Sequence, residues 1–129
     1  MSIVGIGVDI VHITRFRDGI VSERLVNRVF STQEILYCRA RQSPERHFAA
    51  RFAAKEAAIK ALASGGLNLT ITQVEVVSPV EGGAPKLVLR EGGNGRGLPN
   101  LPGGLRLHLS LSHDGDHAVA MVVAEIDAE

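Results

Sequence analysis

The chain has 129 residues, with 14 Lys plus Arg balanced by 14 Asp plus Glu, 45% hydrophobic and 22% charged residues. Charge balance removes the basic excess of a nucleic-acid or anionic-membrane binder, and the apolar fraction is too high for a disordered chain. No run of about 18 apolar residues is present to span a membrane, and the single Cys38 rules out an internal disulfide and suits a reducing, cytoplasmic setting.

The length suits one domain over residues 1–129. Aromatic residues make up only 4% and Trp is absent, so the core must be built from small aliphatic side chains, and association of several copies would add burial. The first half is locally basic: Arg15, Arg17, Arg24, Arg28, Arg39, Arg41, Arg46 and Arg51 face only Asp18, Glu23, Glu34 and Glu45.

In chain order, Ile3 to Val11 is a β-branched run with Gly5 and Gly7, which predicts a strand whose backbone something approaches closely. Apolar residues at 13, 16, 20, 25, 26 and 29 predict an irregular helical stripe over 13–29. Ser31-Thr32-Gln33-Glu34 forms a cap before a second helix, with Thr32 and Glu34 approximating a capping box, and Pro44 marks a turn or helix start. The Ala-rich segment from Glu45 to Ser64, stopped by Gly65-Gly66, predicts a long helix burying Phe48, Phe52, Ile59 and Leu62, with Arg51, Lys55, Glu56 and Lys60 on adjoining faces. Strands are expected at 71–77, 85–89, 105–111 and 117–126, the last two joined by a hairpin turn at Asp114-Gly115. Between them, residues 91–104 hold six glycines and two prolines and are expected to form a loop. This order gives an α+β fold, helices packed on a mostly antiparallel sheet.

Asp9 is a carboxylate inside an apolar strand, a costly placement unless a cation or hydrogen bonds satisfy it; capping a helix is the competing role. Glu56 and Lys60 stand one helical turn apart, and Arg51, Lys55 and Lys60 surround one acid on an otherwise Ala-rich helix, a layout suited to phosphates and a hard metal ion. His113 follows Ser110 and Ser112 and precedes Asp114, but no G-x-S-x-G elbow accompanies it, so it is placed as a turn or wall residue near a site. The remaining histidines have no zinc-ligand spacing.

Taken together, Gly7-Val8-Asp9-Ile10-Val11, the segment Arg51 to Ala61 with its F-x-x-K-E-A-x-x-K-A pattern, and Leu109-Ser110-Leu111-Ser112-His113-Asp114 resemble the holo-[acyl-carrier-protein] synthases of the 4′-phosphopantetheinyl transferase superfamily. The resemblance spans nearly the whole chain, including Gly83-Ala84-Pro85-Lys86 before a strand. It implies transfer of 4′-phosphopantetheine from coenzyme A to a serine of apo-acyl carrier protein, supporting fatty acid biosynthesis. Asp9 and Glu56 would hold Mg²⁺, with Glu56 as the candidate proton acceptor. Lys60 would neutralise phosphate charge, Arg51 and Lys55 would contact nucleotide phosphates, and His113 would line the pocket. Arg15 would dock the carrier protein, and the assembly would be a homotrimer with shared sites. The chain departs from the family pattern at Ala63-Ser64-Gly65-Gly66 and in the 92–104 loop. A non-catalytic binding module of the same fold is the rival from another class. Enzymes serving peptide or polyketide carriers are disfavoured by length, because they fuse two such units.

Overall fold

The computed structural model describes residues 1–19, 23–79, 82–92 and 95–127. Its elements are β1 (Ser2–His12), α1 (Ile13–Gly19), α2 (Glu23–Val29), α3 (Thr32–Arg39), α4 (Pro44–Ser64), a short 3₁₀ turn (Ile71–Gln73), β2 (Val74–Val77), β3 (Lys86–Leu89), β4 (Arg106–Asp114) and β5 (His117–Ile126). The fold is α+β, with two antiparallel sheets where the sequence suggested one: β1-β5-β4 and β2-β3. Of the predicted 13–29 stripe, Ile20 lies outside the described residues. The 71–77 strand is shorter than expected because the Gln73 amide donates back to the Thr70 carbonyl at 3.0 Å and Gln73 Oε1 accepts from the Thr70 amide at 2.9 Å, winding its first three residues into the 3₁₀ turn. No helix among the described residues is long and apolar enough to cross a membrane.

The organising contact is between β1 and α4. Alternation along β1 sends Gly5, Gly7, Asp9 and Val11 toward α4, while Ile6, Val8 and Ile10 face away and are more than half exposed. A Cβ on Gly5 would fall on the Ala61 carbonyl oxygen, and one on Gly7 on that of Ala57, so helix and strand meet backbone to backbone. Two strand residues advance about 6.6–6.8 Å and four helical residues about 6 Å, so the two periods stay in step across this contact.

Sheet and helix both present alanine at this interface. Ala49, Ala53, Ala54, Ala57, Ala58 and Ala61 of α4 are fully buried, as are Ala118, Ala120 and Ala124 of β5. The expected buried side of Phe48, Phe52, Ile59 and Leu62 is therefore corrected: only Leu62 is fully buried, and the other three are partly exposed. Large rings do not fit so close a contact. They pack at the margin instead, Phe48 with Phe30 at 4.9 Å and Phe52 with Phe16 at 5.2 Å between centroids, where they seat the smaller helices.

Glu34 is the buried polar centre. Ser31 caps α3 in a true capping box with it, one residue earlier than the approximate box expected at Thr32. The Glu34 carboxylate accepts from the Ser31 amide at 2.8 Å, the Val76 amide at 2.7 Å and Lys55 Nζ at 2.8 Å, joining α3, β2 and α4.

Replacing Gly7 with Ala should cost about 1–3 kcal/mol or more, because the new methyl meets backbone that cannot step aside. Gly19→Ala, which meets nothing within 4 Å, serves as the control and should leave urea-unfolding stability intact. Equal stabilities for the two variants would contradict the close β1–α4 contact.

Candidate active site

Asp9, Glu56 and Lys60 come together because the β1–α4 register carries them there. Asp9 follows Gly5 and Gly7 on the inward face of β1, and Lys60 reaches across from α4. Lys60 Nζ donates to Asp9 Oδ1 at 3.1 Å and to the Val8 carbonyl at 3.0 Å. The expected i,i+4 partner Glu56 is thus not the acid that Lys60 grips. Burial first, and then the nearby Asp9 charge, push the Glu56 carboxyl above its ordinary range, with Lys60 acting against them. A carboxyl that burial and a neighbouring acid make costly to ionise belongs to a donor set that a hard divalent cation relieves. Among the described residues no group of three or more His, Cys, Asp or Glu is placed to hold a metal, so an ion here would rest on these two acids and on oxygens from a bound molecule.

A second feature lies toward the start of α4. Tyr37, Arg46, His47, Arg51, Ser112 and His113 line a cavity of about 260 Å³. Arg51 is 5% exposed, its guanidinium 4.2 Å from the Tyr37 ring centre and its Nη2 donating to Ser78 Oγ at 2.7 Å. Its Nε is buried without a partner. Arg41 stacks on the same ring at 4.1 Å. Burial, and then Arg51, Arg41, Arg46 and His113, hold the His47 pKa below its usual value, as expected where cations gather without an acid. An unpartnered N–H in a cationic hollow fits a phosphate.

Arg51 and His113 therefore share one cavity, while Asp9, Glu56 and Lys60 form the other group. Lys55 joins neither. Predicted to contact nucleotide phosphates, it is 1% exposed, paired with Glu34 and donating to the Val29 carbonyl at 2.7 Å, which closes it off from a nucleotide. Arg15 is exposed on α1 and does not line the hollow of about 240 Å³ that its neighbours Phe16 and Arg17 share with Glu23, Arg39, Glu45 and Phe48. Sequence reasoning missed Tyr37, Arg46 and His47. The only signal for them was the uneven run of arginines over 15–51, which does not say which ones converge.

The profile of the 4′-phosphopantetheinyl transferase superfamily matches residues 5–122. A holo-[acyl-carrier-protein] synthase of Trichlorobacter lovleyi is 44% identical over 126 residues, covering 95% of this chain and 98% of that protein. Among solved structures, a holo-(acyl-carrier-protein) synthase from Bacillus anthracis in complex with CoA (3′,5′-ADP) superposes with a TM-score of 0.74 at 29% identity, covering 97% of this chain and 98% of that one. A "Chronobacterium ammoniagenes" ACPS-CoA complex gives 0.73 at 27% identity over 99% of this chain and 100% of that one.

Cys38 sits beside these groups yet is fully buried, and burial pushes its thiol up to about 12. It should resist iodoacetamide in the native protein at pH 8 and react at the rate of a free thiol in concentrated urea. Native-state labelling at the free-thiol rate would contradict its placement.

Proposed function

The chain belongs to the holo-[acyl-carrier-protein] synthases of the 4′-phosphopantetheinyl transferase superfamily, and we propose that it moves the 4′-phosphopantetheine arm of coenzyme A onto a serine of apo-acyl carrier protein. The products are holo-acyl carrier protein and adenosine 3′,5′-bisphosphate, made in the cytoplasm in support of fatty acid biosynthesis. The observation that carries this reading is the convergence of Asp9, Glu56 and Lys60, together with a separate cationic cavity built on the same helix.

Asp9 and Glu56 would hold Mg²⁺, and the fit rests on a partly buried Glu56 whose ionised form the nearby Asp9 charge disfavours, a cost that a divalent cation offsets. When bound, the ion supplies positive charge against the oxygens of the transferring phosphoryl group. The chain's own residues do the rest. Lys60 holds Asp9 in position and offers a half-exposed ammonium to phosphate charge. Arg46, Arg51, His47 and His113 receive the nucleotide's phosphate in the cationic cavity. The carrier serine Oγ bonds to the β-phosphorus as the bond from that phosphorus to the adenosine 3′,5′-bisphosphate oxygen breaks. Glu56 takes the serine proton. The nucleophile comes from the carrier, so no Ser/His pair is required here.

Intact-mass measurement of apo-carrier incubated with coenzyme A and Mg²⁺ tests this directly. The wild-type protein should add one phosphopantetheine to each carrier, and Asp9→Ala and Glu56→Ala should each lose at least about 100-fold in rate while keeping native unfolding curves. Near-wild-type turnover by either variant would remove the metal assignment.

The exposed apolar side of β1-β5-β4 supports a trimeric assembly. Ile6, Val8, Ile10 and Met121 are all exposed, and in the strand register Val8 stands opposite Met121. Symmetric association covers such a face, and likeness to the family supplies the number three. Arg51 and Glu56 are five residues apart, about 140° around α4, so a site between two copies would bring the acidic group of one to the cationic cavity of its neighbour. Light scattering should give three times the chain mass, and inactive Asp9→Ala and Arg51→Ala proteins should regain part of their activity after subunit exchange. A fully active monomer at micromolar concentration would refute both the trimer and the shared site.

A further inference from the structure

We infer that Asp116, at the tip of the β4–β5 hairpin, is a positioning residue for the carrier protein, acting through α1. The inference rests on the reading of Arg15 as a docking residue and extends it to the group that aims Arg15. Strand pairing runs through Asp114↔His117, so the hairpin loop is Gly115-Asp116, shifted one residue from the expected Asp114-Gly115, with Gly115 at φ +58°. That shift puts Asp116 over the start of α1.

α1 is seven residues long, far below the length at which a helix persists by itself in water, and its first-turn amides have no partners within the helix. Asp116 supplies them from 102 residues away. Its carboxylate accepts from the Thr14 amide at 3.2 Å and from Thr14 Oγ1 at 2.9 Å, and its main-chain carbonyl accepts from the Ile13 amide at 2.7 Å. His12 closes the same turn: its Nδ1 stands 3.2 Å from Asp116 Oδ2 and 3.2 Å from the Arg15 amide. A neutral ring accepts the Arg15 N–H there, and a protonated one donates to Asp116. Below the turn, Ile13 is buried and Phe16 rests on Phe52. The helix is thus seated on the core by two apolar side chains and oriented at its first turn by Asp116, while Arg15 and Arg17 point outward. Removing the carboxylate loosens that first turn and blurs the direction of Arg15 without touching Asp9, Glu56 or Lys60.

The test is steady-state kinetics with apo-acyl carrier protein and coenzyme A varied separately, alongside amide hydrogen exchange of residues 14–17. Asp116→Ala and Thr14→Val should raise the carrier KM about 5-fold, the size of a lost cap, and speed exchange in α1 by a similar factor, with kcat and the coenzyme A KM changed less than about 2-fold. Thr14→Ser and Asp116→Asn, which keep a hydroxyl donor and an oxygen acceptor respectively, should restore most of the carrier KM. Arg15→Glu, run in parallel, separates the two ideas. If it raises the carrier KM and Asp116→Ala does not, the positioning role is overturned; equal rises in both substrates' KM overturn it as general damage. If Arg15→Glu leaves the carrier KM unchanged, the docking reading fails and carrier positioning fails with it, and unaltered exchange in Asp116→Ala would then overturn the anchoring of α1 as well.

Discussion

Gly5 and Gly7 lie against the Ala61 and Ala57 carbonyl oxygens, and the rest of the molecule depends on that contact. Without side chains on β1 at these two positions, the strand descends onto α4 until backbones touch. The next inward residue of β1 is Asp9, held where Lys60 can reach both its carboxylate and the Val8 carbonyl. A bulkier residue at 5 or 7 would lift the strand, and the two acids and the lysine would part. The alanine content of α4 and β5 has the same origin: a helix this close to a sheet leaves room for methyl groups and little else. Scarcity of aromatic residues is thus a property of the contact and not a defect of the core.

A second constraint fixes the middle of α4. Glu34 accepts hydrogen bonds from α3, β2 and Lys55 at once, and Lys55 gives its remaining reach to the Val29 carbonyl. Burial lowers the Lys55 pKa, while the charge and hydrogen bond of Glu34 oppose the shift. Such a pair adds little net stability over a well-packed apolar pair, but losing one partner costs about 3–5 kcal/mol, so its consequence is a single permitted arrangement of three elements. That arrangement sets Tyr37 of α3 beside Arg51 of α4, and the cationic cavity grows from their stacking. One helix therefore carries both functional groups, each registered by a different neighbour.

These two constraints explain what could be read from residues alone. Asp9 announced itself because an acid in an apolar strand demands a partner, and the glycines before it announced close approach. Glu56 and Lys60 were visible as charges on an alanine helix. Which acid Lys60 would grip was not, because that depends on register between elements some 50 residues apart in the chain. Lys55 misled for a related reason: its spacing on α4 matched that of the exposed cations, and its burial follows from Glu34, whose own burial comes from α3 packing against β2. Arg46 and His47 escaped because a cationic cavity is a matter of convergence among Tyr37, α4 and the end of β4. The strands, the long helix and the described part of the 91–104 loop, residues 93 and 94 lying outside it, were legible from periodicity and glycine content, whereas the division into two sheets was a tertiary outcome.

One coenzyme A should meet both groups, Asp9 and Glu56 of one copy at the metal and pyrophosphate, and Arg46, Arg51 and His113 of a neighbouring copy at the nucleotide phosphate. A crystal structure of the protein grown with coenzyme A and Mg²⁺ tests it most directly. Metal density is expected at Asp9 and Glu56, with a phosphate beside Arg51 that satisfies its Nε. Metal bound at other residues, or coenzyme A lying away from α4, would contradict it.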